Sequence, residues 1–373
     1  MDSSGIDDVL AEGMRRGAYP GAVLVVSRDD EVVLERAVGT RTGSSDAAPV
    51  HLDTVYDLAS LTKPLATAVA FFVLMRLGRV SPQDRVTRFF HNFGVHGKNS
   101  ITFENLLAHS SGLVAHRPYF RQASREARRR LNFLCSREAK QWVYGQIHRE
   151  KVAQPPGRKA VYSDLGFILL GQAVETISGQ SLDRFCQRHL FGPLGLRSLS
   201  FVDLSLVRAH RVALREDLVA PTQRCPWRRR VLCGEVDDEN AWVMGGVAGH
   251  AGLFGSARDV DALARALLAC ERGGQGPLPR ELVELMWTGD SSISESTRTL
   301  GWDRPAARGS SAGKHMGPST VGHLGFTGTS LWIDRERRLS VTLLTNRVHP
   351  SRDNDRIRDF RPRIHDAVLE ALT

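Results

Sequence analysis

Cysteine is scarce. The chain carries five in 373 residues (Cys135, Cys186, Cys225, Cys233 and Cys270), and none forms a C-x-x-C. That excludes a dense disulfide framework and fits a reduced compartment. Only Cys225 and Cys233, which flank one loop-like stretch, are spaced to pair on oxidation. No Cys/His spacing resembles a zinc site, so neither a metal nor an organic cofactor is expected. No run approaches the roughly 18 apolar residues of a membrane span. The polar, acidic opening from Met1 to Asp8 is unlike a secretory leader, and the initiator-like Met1 argues against a trimmed one; the expected location is cytoplasmic. The one Gly-x-Ser-x-Gly, Gly309 to Gly313, lies in a Ser/Gly-rich stretch with no apolar strand before it or helix after it, which counts against an α/β-hydrolase elbow. The glycine run at 245–252 lacks Gly-Lys-Ser/Thr and is not a phosphate loop. Lysine is scarce too, at six, so the net charge of +9 is almost entirely arginine. The arginines are scattered or in short clusters without interleaved aromatics, which reads as solvated surface and not as a nucleic-acid footprint.

What is present fits an ordinary globular chain, with 42% hydrophobic and 24% charged residues and length enough for two core-bearing lobes. Ile6, Val9, Leu10 and Met14 recur at helical spacing before Pro20-Gly21. Two apolar runs, 22–27 and 32–39, then read as a hairpin around Asp29-Asp30. An apolar helix is predicted from 65 to 77, stopped by Gly78, and another from 165 to 177, closed by Ser178-Gly179. Residues 80–200 lack convincing strands. The charged stretch 211–240 reads as a surface excursion and 291–317 as a loop, with a helix predicted between them over 259–270. Strands at 321–326, 330–334 and 339–346 precede a last helix at 357–372. The simplest assembly is α+β: both chain ends (1–79 and 245–373) form one antiparallel sheet flanked by helices, a mostly helical lobe (80–244) is inserted between them, and the cleft between lobes holds the site.

Ser60-Leu61-Thr62-Lys63 is the strongest chemical signal. Residues i and i+3 share a helix face, so Lys63 projects beside the Ser60 hydroxyl. Pro64 is tolerated only in a first turn, which puts Ser60 at a helix N-terminus, where the dipole favours developing negative charge. A desolvated lysine there loses its proton more readily and can serve as base. The tetrapeptide alone proves little, since Ser311-Ala312-Gly313-Lys314 repeats it in a glycine-rich loop with no helix behind it. Tyr162-Ser163-Asp164 follows Pro155-Pro156-Gly157 and precedes an apolar helix, placing a phenol where it could relay a proton. Gly322-His323-Leu324-Gly325-Phe326 is a glycine-studded strand, open to a substrate backbone or simply bulged.

These three elements, in this order, resemble the serine beta-lactamases and penicillin-binding proteins. The chain is most similar to the class C-like branch, which includes family VIII esterases and D-Ala-peptide hydrolases. Asp57 to Lys63 matches the first element, Leu106 to Leu113 that branch's characteristic helix end, Tyr162 to Gly166 the second element, and Gly322 to Asn346 the third. The resemblance implies the beta-lactamase/transpeptidase-like fold, Ser60 as nucleophile, Lys63 and Tyr162 as proton carriers, and an oxyanion hole from the backbone N–H groups of Ser60 and Phe326. It makes His109 a structural turn. Two departures stand out: Asp164 replaces an asparagine, and His323-Leu324-Gly325 replaces Lys-Thr-Gly, losing a fixed charge and a hydroxyl.

The expected activity is therefore hydrolysis of an ester or amide through an acyl-enzyme. The alternatives are acyl transfer at the same site, or a non-catalytic receptor for muropeptide-like ligands. The substrate is a small ester, amide or peptide-like molecule bound in part by His323, Leu324, Gly325 and Asp164. Short neutral esters are expected to outrun beta-lactams, with beta-lactam turnover rising as His323 gains a proton between about pH 8 and 6. Arg347 could replace part of the missing charge.

Overall fold

The computed structural model describes residues 2–213, 216–288, 293 and 296–372. Its strands, in chain order, are β1 (Gly21–Arg28), β2 (Glu31–Gly39), β3 (Tyr56–Asp57), β4 (Ser200–Phe201), β5 (Arg224–Cys225), β6 (Arg230–Val231), β7 (Leu253–Gly255), β8 (Val321–Leu324), β9 (Ser330–Asp334) and β10 (Leu339–Thr345). The main sheet has the order β2-β1-β10-β9-β8 and is antiparallel throughout, so strands from the two chain ends meet where β1 pairs with β10, Ala22 opposite Thr345 and Arg28 opposite Leu339.

β1 is apolar along almost its whole length because both faces of the sheet are covered. Val23 and Val25 point into a large core shared with the helices of the chain's middle. Ala22, Leu24 and Val26 pack on the other side against the terminal helices Ser4–Arg15 and Ile357–Leu372. The large core holds the apolar helices Val69–Arg76 and Asp164–Ser178, the latter stopped by Gly179 at φ 72°. The helical stretch Ala59–Arg76 is long and apolar enough to meet a membrane-span criterion, yet 83% of it is buried inside the protein, as a core helix would be.

Several sequence expectations are corrected. The excursion at 211–240 is not simply a surface feature. Val219, Cys225, Leu232, Glu235, Val236 and Asp237 are buried, and β5 and β6 form a short hairpin within it. Charge hid this: buried Glu235 is held 2.7 Å from Arg230 and takes the Trp242 indole N–H at 2.6 Å. β3, β7 and β4 form a second sheet too short to show periodicity. The helix Arg280–Trp287 was not anticipated. One expectation in the same region holds: all five cysteines are unpaired, Cys225 and Cys233 included. Of the predicted loop at 291–317, residues 291, 292, 294 and 295 lie outside the described residues, and the described part has neither helix nor strand.

Candidate active site

The first element is built by a strained turn. Ala59 adopts φ 48°, a left-handed conformation costly for a residue with a side chain. The buried Asp57 carboxylate holds it there: one oxygen accepts the Ala59 N–H at 2.8 Å and the other the Asp237 N–H at 2.6 Å. Burial pushes the Asp57 carboxyl up to about 7. From this turn the chain enters a 3₁₀ turn, Ala59–Leu61, then a wide π turn, Lys63–Ala68, before settling into α-helix at Val69. The wide turn accommodates Pro64, which has no N–H for an ordinary helical bond.

Lys63 is fully buried, and its Nζ donates to Ser60 Oγ at 3.0 Å and to the His250 carbonyl at 3.1 Å. The same nitrogen stands 4.7 Å from the centre of the Tyr162 ring and 2.9 Å from Asp164 Oδ1. Burial alone pulls the Lys63 ammonium down, but the charges and hydrogen bonds of Asp164 and Tyr162 overcome it and hold the group above its ordinary value. Burial likewise opposes ionisation of Asp164, yet Lys63 and a hydrogen bond from His116 hold its carboxyl far below the usual range. The two directions agree on a charged pair. The expectation that burial would leave Lys63 a ready base is therefore corrected: Asp164 reverses the effect. Burial also pushes the Tyr162 phenol up, against the pull of Lys63 and of hydrogen bonding to Lys63 and Ser60.

Asp164 was expected to bind substrate. Its place in the structure makes it first a counter-ion. Oδ1 faces Lys63, and Oδ2 faces His116 Nδ1 at 3.4 Å. Ser163 caps the following helix, and its N–H is taken by His109 Nδ1 at 3.0 Å. His109 also stacks on Tyr162, with ring centres 4.6 Å apart, so it is structural, as the sequence suggested.

The third element lies against the first. A side chain at Gly325 would collide with Thr329 and with the Leu58 carbonyl, so glycine lets the end of β8 close on the turn that carries Ser60. Thr327 and Thr329 donate to the Asp57 and Leu58 carbonyls at 2.7 and 3.2 Å. Gly322 leaves room for the Trp332 ring, and its edge is already paired with Asp303 through two 2.8 Å backbone bonds, so that stretch is not open to a substrate strand. His323 is buried, with Nδ1 2.8 Å from the Leu324 carbonyl. Burial, then Lys63 and Arg298, bring its pKa down to about 3. Protonation of His323 between pH 8 and 6, expected from its ordinary value, is therefore corrected. Arg347 does not supply the missing charge either. Its guanidinium is committed to the carbonyls of Phe326 (2.9 Å), Arg352 (2.9 Å) and Asn354.

Ser60, Tyr162, Asp164 and Phe326 line one cleft of about 580 Å³. Leu324 and Gly325 do not line it, and His323 sits beneath it, 5.8 Å from the Tyr162 ring centre. The cleft also contains residues that sequence reasoning missed: His116, Phe120, Arg121, Asp238, Glu239, His250 and Arg352. His250 Nε2 is 2.9 Å from Asp238 Oδ1. Arg298, from the 291–317 segment, stands 5.0 Å from the centre of the Tyr162 ring and is paired with Asp303. With Lys63 it is one of two cations over that ring. No sequence signal marked it, because its segment reads as irregular. Among the described residues no cluster of His, Cys, Asp and Glu has the makings of a metal site.

Comparison with known proteins bears on the family and the fold. Residues 6–363 match the Beta-lactamase family. A protein of Escherichia coli (strain K12) named "Putative D-alanyl-D-alanine carboxypeptidase" is 33% identical over 356 residues, covering 89% of this chain and 79% of that protein. Its namesake in Salmonella typhimurium is 30% identical over 359 residues, covering 91% and 81%. Among solved structures, EstCE1, a hydrolase with promiscuous acyltransferase activity, superposes with a TM-score of 0.75 at 19% identity, covering 98% of each chain. The octameric penicillin-binding protein homologue from Pyrococcus abyssi gives 0.74 at 22% identity, covering 100% of this chain and 78% of that one. The fold is thus the beta-lactamase/transpeptidase-like one, and the chain belongs to the Beta-lactamase family as one of its serine hydrolases.

Proposed function

We propose that the protein hydrolyses a carboxylic ester or amide through an acyl-enzyme on Ser60. The observation that carries this is the 3.0 Å contact between Lys63 Nζ and Ser60 Oγ at the floor of the cleft. Ser60 Oγ attacks the substrate carbonyl carbon, and the oxyanion is received by the N–H groups of Ser60 and Phe326. The serine proton passes to the Lys63–Tyr162 pair and on to the leaving group; water then releases the acyl group. In the resting state Lys63 is a cation that donates to Ser60, so it must first release one proton to water in the cleft, and only then can it accept the serine's. The relatives named for D-alanyl-D-alanine make D-alanyl amides one substrate class to screen beside simple esters.

A fluorophosphonate probe should add one adduct to the peptide containing Ser60, and Ser60→Ala should abolish it. Lys63→Ala should lower kcat by roughly 10²–10⁴-fold. Tyr162→Phe should impair turnover with the circular dichroism unchanged. Labelling that survives in Ser60→Ala, or that maps to Ser311, would overturn the proposal. Adding a competing alcohol or amine acceptor separates hydrolysis from acyl transfer.

A further inference from the structure

We propose that His116 is a positioning residue of this reaction and acts through Asp164: its imidazole and the Lys63 ammonium share one carboxylate, and the share His116 takes sets how readily Lys63 releases a proton. This rests on the reading of Lys63 as the base toward Ser60.

The geometry is a line of four groups. Ser60 Oγ is 3.0 Å from Lys63 Nζ, Lys63 Nζ is 2.9 Å from Asp164 Oδ1, and Asp164 Oδ2 is 3.4 Å from His116 Nδ1. The two ends differ in environment. Lys63 is fully buried, whereas the His116 side chain is 47% exposed and lines the cleft. Local backbone structure holds the imidazole in place. The Asp164 N–H donates to the Ala115 carbonyl at 2.9 Å, and Ser163 Oγ donates to the Val114 carbonyl at 2.7 Å, so the segment before His116 is tied to the segment that carries Asp164.

Asp164 can only accept while ionised, so Nδ1 of His116 is the donor. A donated hydrogen bond draws charge on the carboxylate toward His116 and weakens its attraction for Lys63; a protonated imidazole does so more strongly. The linkage is reciprocal, and the three groups titrate as a set. The other charges facing His116 do not substitute for it. Asp238 and Glu239 approach from the opposite wall and, like Asp164, favour its protonation, as the raised His116 pKa reflects, with the Asp164 hydrogen bond its largest cause. Asp238 is engaged with His250, and Glu239 with Arg352. Arg117 is paired with Glu150. Arg121 lines the cleft and lies over the Phe120 ring.

The test reads the rate of fluorophosphonate labelling at Ser60 from about pH 6 to 10.5, which isolates activation of the serine. His116→Ala returns the whole carboxylate to Lys63, so the midpoint of the rising limb should move up by about half a unit, or roughly threefold slower labelling at a fixed pH below it. His116→Asn, whose amide can donate in place of Nδ1, should restore part of the shift. Asp164→Asn removes the shared charge and should move the midpoint down by about one unit; adding His116→Ala to it should change nothing further. An unmoved midpoint in His116→Ala, or an undiminished His116→Ala effect in the Asp164→Asn background, would overturn the inference. The two His116 variants, at an exposed position, decide it even if Asp164→Asn fails to fold. Absence of Ser60 labelling in the unmodified protein would instead sink the parent reading.

Discussion

Lys63 Nζ and Asp164 Oδ1 form a 2.9 Å ion pair in which the lysine is wholly buried and the aspartate side chain keeps 19% of its surface exposed. Taking both charges out of water is costly, and each is tolerated because the other is present. The pair therefore links the folding of the cleft to its chemistry. It brings together residues 101 positions apart, on two helical segments that meet in the large core.

One prediction concerns stability. Lys63→Met leaves Asp164 with only His116 beside it. Breaking a fully buried pair costs about 3–5 kcal/mol, and the partial exposure of Asp164 puts this case below that range. Lys63→Met combined with Asp164→Asn removes both charges and should recover more than half of the loss in urea denaturation. The sign with pH follows from Asp164, whose folded pKa is depressed. Its stabilisation is present above about pH 4 and is lost as pH falls further, so the cost of Lys63→Met should shrink in acid. A double variant as unstable as the single one would show that the pair is not what holds the site.

How much of this was visible in the sequence differs by element. β1 and β10 were legible because sheets covered on both faces leave long apolar runs, and the helix Asp164–Ser178 was legible from its apolar run and the Ser178-Gly179 that closes it. The Ser60–Lys63 spacing was legible because i,i+3 geometry is local. Asp164 was named for substrate contact and does line the cleft, but its ion pair with Lys63 was not foreseen, because no spacing reports that contact. His116 and Arg298 were invisible for the same reason. Each reaches the Lys63–Tyr162 region from an irregular segment whose path only tertiary packing defines. The His323 error was physical. An unperturbed pKa was applied to a side chain that β8, Tyr162 and nearby cations enclose.

Acid stability provides a second prediction. Burial, with Arg361 next, lowers His365 to about 3, as burial and then Lys63 do for His323. Both are neutral in the fold, whereas in the unfolded chain they take up protons below about pH 6.5. Each therefore reduces stability as pH falls, by up to about 1.4 kcal/mol per unit. Asp57, raised to about 7 by burial, works in the opposite direction over the same range. The contribution of one histidine is isolated by slope. His365→Leu should flatten the fall in unfolding free energy between about pH 6 and 5 by close to one proton, whatever it does to stability at pH 7.5. An unchanged slope would mean that His365 is not held neutral.

Substrate preference follows from the third element. Leu324 offers no hydrogen bond, and His323, buried and neutral, offers no charge to the carboxylate of a beta-lactam. Arg347 is spent on backbone carbonyls around Phe326. Of the two cations beside Tyr162, Lys63 is paired with Asp164 and Arg298 is partly balanced by Asp303; Arg352, which lines the cleft, is paired with Asp237 and Glu239. Short neutral esters should accordingly be turned over faster than nitrocefin or benzylpenicillin. Whatever beta-lactam activity exists should depend on Arg298, not on His323. Losing a charge-assisted hydrogen bond costs about 1.5–3 kcal/mol, so Arg298→Ala should lower kcat/KM for nitrocefin by roughly 10–150-fold and that for p-nitrophenyl butyrate much less. His323→Gln should introduce no change in the pH profile between about pH 8 and 6, because the wild-type imidazole does not titrate there. Measuring kcat/KM for both substrates across that range, in the wild type and the two variants, decides the matter. A preference for nitrocefin that survives Arg298→Ala would mean that the carboxylate is held by other groups and that the missing Lys-Thr-Gly residues do not set specificity here.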